Sequence, residues 1–148
     1  MRIIINCFGI ITGMAVIGMT ILADEPEKES EKRFVMHPIG WVRKADGKTR
    51  IVLEEKYQPG LLGVEKLPEI WVLYWFDRND TPEKRAVLRV HPRGNPANPL
   101  TGVFATHSPR RPNLIAMSRC KILSVEGNVI EIDRIDALPD TPVLDLKS

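Results

Sequence analysis

The chain has 148 residues, 43% of them apolar, enough for the core of one domain. A formal charge of +2, two cysteines (Cys7 and Cys120) and three scattered histidines exclude a disulfide framework and a zinc site of clustered ligands. No G-x-G-x-x-G, Walker-type loop or G-x-S-x-G elbow is present, which argues against a Rossmann or P-loop nucleotide site and against a hydrolase nucleophile elbow.

Met1–Ala23 differs in composition from the rest. Arg2 precedes an apolar run from Ile3 to Leu22, and the small residue Ala23 is followed by the acidic stretch Asp24–Glu29. That order describes a signal peptide, or an uncleaved membrane anchor, and the flanking charges place the following domain outside the cytoplasm. Residues 24–35 read as a charged linker. The domain proper is expected over 36–148, and translation starting at Met36 would leave it cytoplasmic. Ile39–Lys44 and Thr49–Leu53 read as strands joined at Asp46-Gly47, a dipeptide suited to a tight hairpin turn. Gln58-Pro59-Gly60 predicts a turn, and Leu61–Leu67 one or two turns of helix. Ile70–Phe76 is unbroken apolar and aromatic sequence, so it predicts a strand buried on both faces or closing a barrel, with Trp71 and Trp75 in the core. Short strands follow at Ala86–Val90 and Thr101–Ala105, then a hairpin of Lys121–Val125 and Val129–Asp133 around Glu126-Gly127-Asn128. Strands this short and numerous predict an all-β fold, a small closed or nearly closed barrel. Cys120, between Arg119 and Lys121, reads as a packing residue.

The modest net charge conceals an asymmetry. Lys84 to Lys121 holds eight Lys or Arg and no acid, whereas the rest of the chain after Ala23 holds twelve basic and nineteen acidic residues. An acid-free basic stretch suits an anionic partner such as a phosphate, a carboxylate or a nucleic-acid backbone, with Arg93, Arg110, Arg111 and Arg119 as the contacts. Five prolines between His91 and Asn113 stiffen the same stretch, as a preorganised polar site requires. The working site is therefore expected within His91–Arg119.

Val103-Phe104-Ala105-Thr106-His107-Ser108-Pro109-Arg110-Arg111-Pro112-Asn113 resembles the V-F-A-T-R-S-P-x-R-P-N signature of the TsaA-like family, which includes the TrmO tRNA methyltransferases. The resemblance extends through Ile70–Phe76, His91-Pro92-Arg93-Gly94 and Asp136-Ala137-Leu138 to Thr141–Lys147, covering about Met36 to Ser148. It implies a small β-barrel, usually a homodimer, that binds S-adenosyl-L-methionine and transfers its methyl group to N6 of a threonylcarbamoyl-adenosine in tRNA. By the same resemblance the cofactor residues are Asp77, Arg78, His107, Met117, Asp136, Ala137, Leu138 and Pro139; no metal is implied. Several of these depart from the family pattern. His107 stands for an arginine, Asp77 for a histidine, Pro139 for an acid and Asp140 for a glycine. The family's R-P-N-P-I-G-M-S reads Arg111-Pro112-Asn113-Leu114-Ile115-Ala116-Met117-Ser118 here. Two functions are thus expected to compete. One is a methyltransferase with an altered cofactor site. The other is an exported, non-catalytic module using the same barrel for an anionic or nucleoside-like ligand.

Overall fold

Antiparallel strands with one apolar face bury it most completely by closing on themselves. In a computed structural model that describes residues 34–148, six strands do so in the order β1-β2-β7-β6-β3-β8. They are β1 (Gly40–Ala45), β2 (Lys48–Leu53), β3 (Glu69–Trp75), β6 (Ile115–Glu126), β7 (Val129–Ile132) and β8 (Pro142–Lys147). The remaining strands, β4 (Arg89–Val90) and β5 (Thr101–Gly102), pair as a separate ribbon within the long β3–β6 connection.

The first hairpin turns where expected, with Asp46 at φ 54 and Gly47 at φ 71, the two left-handed residues such a turn needs. In the second hairpin Glu126 pairs with Val129, and Gly127 supplies the positive φ of 59. Its Asn128 is fastened to β2: the Leu53 amide donates to Asn128 O at 2.9 Å and Asn128 Nδ2 donates to Leu53 O. The barrel closes where Gly40 pairs with both Leu53 and Val143. A Cβ at residue 40 would lie 2.4 Å from Val52 O, so only glycine permits that approach.

Side chains alternate as the pleat dictates. Val42, Ile51, Ile70, Val72, Tyr74, Cys120, Ile130, Ile132 and Val143 point inward and are buried. β3 therefore closes the barrel with one face only. Ile70, Val72 and Tyr74 face in, whereas Trp71, Leu73 and Trp75 alternate outward and stay half-exposed. The expectation of a strand buried on both faces, with both tryptophans in the core, is corrected accordingly. Aromatic content mimicked a buried run, and the period-2 pleat decided which residues enter.

Other boundaries shift for identifiable reasons. Of the helical turns expected over Leu61–Leu67, one forms there as the 3-10 turn Val64–Lys66, and a second 3-10 segment, Glu55–Leu61, precedes it; together they bring Leu61 with Tyr57 and Val64 against the core. The strands expected at Ala86–Val90 and Thr101–Ala105 shrink to two residues each, and Val103–Ala105 forms a 3-10 turn. Thr81 accepts from the Lys84 amide and caps a short helix, α1 (Pro82–Arg85), with Pro82 in its first turn. β8 begins at Pro142, a strand's first position being one that proline tolerates. The expected signal or anchor (1–23) lies outside the described residues, as does the expected linker except for its last two positions, Phe34 and Val35, which are exposed. Among the described residues no helix is long and apolar enough to cross a membrane.

Candidate functional site

Two segments build the site: the β3–β6 connection and the β7–β8 connection. The first is tied at its base, where the Phe76 amide donates to Leu114 O at 2.9 Å. Arg85 then braces it. Its guanidinium contacts Asp80 through Nε at 2.7 Å and Nη2 at 3.1 Å, donates from Nη1 to Pro112 O at 2.9 Å, and lies 5.3 Å over the Trp75 ring. Trp75 Nε1 also donates to Asp80, at 3.2 Å. Arg85, and then Trp75, hold the Asp80 carboxyl below its ordinary range. Further along, His91 Nδ1 bonds Asn98 O at 2.7 Å and Asn98 Nδ2 donates to Pro92 O at 2.8 Å. This closed loop holds Arg93 in the left-handed region at φ 58. Thr106 donates to Val103 O at 3.0 Å and accepts from the Ser108 amide, and Arg111 donates to Thr106 O.

In the second segment burial alternates without any strand. Ile135 and Ala137 pack on the core while Asp136 and Leu138 face outward. Lys44 Nζ donates to Ile135 O at 3.1 Å, the Tyr74 hydroxyl to Asp136 O at 2.8 Å and Arg78 Nη2 to Pro139 O at 3.2 Å. Asp140 sits at φ 65. Aspartate tolerates that region better than most residues, and its carboxylate pairs with Arg43.

A cleft of about 1010 Å³ opens along the first segment, lined by Arg89, His91, Arg93, His107, Arg110 and Asp136 among others. Beside it a pocket of about 220 Å³ has Tyr74 and Phe76 in its wall and is lined by Asp77, Arg78, His107, Asp136, Ala137 and Leu138. The two share His107, Pro109 and Asp136. Among the described residues Asp136 is the only carboxylate lining the large cleft, and none of its arginines has a carboxylate partner.

Of the residues expected at a cofactor site, Asp77, Arg78, His107, Asp136, Ala137 and Leu138 thus meet in one pocket, with Pro139 fastened at its edge by Arg78. Met117 does not join them. It faces outward on β6 opposite Leu73 and is 46% exposed. Of the expected anion contacts, Arg93 and Arg110 line the large cleft, whereas Arg111 lies beside it and spends one donor on Thr106 O. Arg119 lines neither cavity and pairs with Glu69 across the β3–β6 ladder. Arg89 and His91 line the cleft without having been singled out as contacts; membership in the same acid-free stretch was the available signal. Cys120 is fully buried and its thiol is pushed up to about 11 by burial, in keeping with a packing role.

Fold and cavities together define a closed antiparallel barrel that presents a mixed-charge pocket beside a basic cleft. Residues 32–148 match the family described as the tRNA-methyltransferase O N-terminal domain, and the chain belongs to that family. A probable S-adenosyl-L-methionine-binding protein of Methanocaldococcus jannaschii is 45% identical over 114 residues, 77% of this chain and 90% of that protein. One of the same description from Pyrococcus horikoshii is 46% identical over 114 residues, covering 81% of its length. The tRNA (adenine(37)-N6)-methyltransferase of Homo sapiens is 41% identical over 87 residues, 59% of this chain and 19% of that protein. Among solved structures, TrmO from P. aeruginosa superimposes with a TM-score of 0.59 at 25% identity, covering 78% of this chain and 54% of that one. The chain therefore spans about half the length of that structure.

Proposed function

We propose that this protein binds S-adenosyl-L-methionine in the small pocket and transfers its methyl group to a nitrogen of a nucleic-acid substrate, tRNA being the family's substrate. One observation carries this reading: six of the eight expected cofactor residues, distant in sequence, line one pocket. The donor set suits the cofactor. Arg78 offers a cation and His107 a ring N–H for its carboxylate, Asp77 and Asp136 offer acids for its ammonium and sulfonium, and Tyr74, Phe76 and Leu138 form apolar wall. When bound, the cofactor supplies an electrophilic methyl group. Methyl transfer to nitrogen depends mainly on alignment and a dry site. The braced loops give that alignment, and Arg89, Arg93 and Arg110 would hold substrate phosphates in the adjoining cleft. A second copy of the chain is part of this reading, since Leu73, Ile115 and Met117 leave an apolar strip on the outside of β3 and β6.

Met1–Ala23 favours a second reading, an exported module that binds a nucleoside-like anion without catalysis. Incubating the full chain with methyl-labelled cofactor and tRNA bearing threonylcarbamoyl-adenosine separates the two. Label entering the RNA, reduced by Arg93→Ala with Arg110→Ala and by added salt, is the expected result. Cofactor binding with no transfer would leave the non-catalytic module as the better account.

A further inference from the structure

We propose that Tyr74 is a positioning residue, its hydroxyl holding the Asp136–Pro139 segment in the shape that forms the small pocket. This rests on the reading of that pocket as the cofactor site. The pleat turns Tyr74 into the barrel beside Ile70 and Val72, and the residue is 3% exposed. Its hydroxyl reaches Asp136 O at 2.8 Å and Ser118 Oγ at 3.2 Å. A carbonyl can only accept, so the phenol's single proton lies toward Asp136 and Ser118 is the donor to the phenol oxygen. Burial pushes the Tyr74 hydroxyl above its ordinary range, which keeps that proton in place. The ring packs edge-on against Phe76 with centroids 5.7 Å apart, and both rings line the pocket.

The other side chains fastening this segment are exposed cations. Lys44 holds Ile135 O, Arg78 holds Pro139 O and Arg43 pairs with Asp140. Water competes for each of them. Tyr74 instead donates from the barrel interior, to one of the three residues shared by both cavities. A phenylalanine there would fill the same core volume and leave the Asp136 carbonyl without its partner.

Tyr74→Phe in the full chain tests the role with two readouts. Without ligand, amide order parameters of Ala137 and Leu138 should fall from about 0.85 to below about 0.6 while β3, β6 and β8 remain rigid. In calorimetry, S-adenosyl-L-methionine should bind about tenfold more weakly than to wild type. Unchanged order parameters, or equal affinities, would overturn the proposal. Loosening spread over all three strands would also overturn it, by making Tyr74 a core residue. A wild type that binds no cofactor would defeat the cofactor reading alone, and the order parameters would still decide the role of Tyr74.

Discussion

The barrel and the β3–β6 connection are held together by different physics. In the barrel, ladder hydrogen bonds and inward aliphatic side chains do the work, with Val42, Ile51, Val72, Ile130 and Val143 wholly buried. The connection has two buried apolar residues, Val103 and Leu114, and keeps its shape through side chains that bond backbone groups: Arg85 to Pro112, Asn98 to Pro92, Thr106 to Val103, Arg111 to Thr106. Prolines add stiffness from the unfolded side. A region braced this way can expose uncompensated arginines to a ligand, which an apolar core cannot do. Stability and binding are thereby assigned to different residues.

Substitutions can break that division. Ile130→Ala should cost roughly 2–5 kcal/mol in urea unfolding, because the barrel leaves no room to collapse around the cavity. Trp71→Ala should cost less than Ile130→Ala, its ring being half-exposed on the outer face. Arg85→Ala should change global stability by less than about 1 kcal/mol, because its ion pair is partly open to water. The same variant should speed proteolysis between Asp77 and Asn113 and weaken ligand binding. A large global loss from Arg85→Ala would show that the two regions fold as one unit. The smallest effect concerns Cys120. With its thiol at about 11, it should resist alkylation in the native protein at pH 8 and react once unfolded, as peptide mass spectrometry would report. Its folded value is raised, so its contribution to stability is intact below the ordinary thiol range and is lost as pH rises through about 11.

What the sequence made legible follows the same boundary. Asp46-Gly47 and Gly127-Asn128 located both hairpins because the turns need the conformations those residues favour. The charge asymmetry located the basic cleft. The pocket residues became legible only through the signature around Val103–Asn113, since Asp77, His107 and Asp136 are distant in sequence and brought together by loops. Parity along Ile70–Phe76 could have shown that Trp71 and Trp75 face out and Tyr74 faces in. A tyrosine hydroxyl inside a barrel needs a partner, and that was the unused signal for the Asp136 contact. The Asp80–Arg85–Trp75 brace has no pattern of its own; it depends on how the chain leaves β3.

His107 tests the central claim most directly, as it lines both cavities. A guanidinium presents a planar fork of donors that matches a carboxylate bidentately, and an imidazole has no such fork. Calorimetric titration of the full chain with S-adenosyl-L-methionine, for wild type and His107→Arg, is the measurement. Wild-type affinity should be weak, in the high micromolar range or beyond. His107→Arg should tighten binding about ten- to a hundredfold, the equivalent of roughly 1.5–3 kcal/mol for one charged hydrogen bond. If neither protein takes up the cofactor, the pocket is not a cofactor site and the account fails.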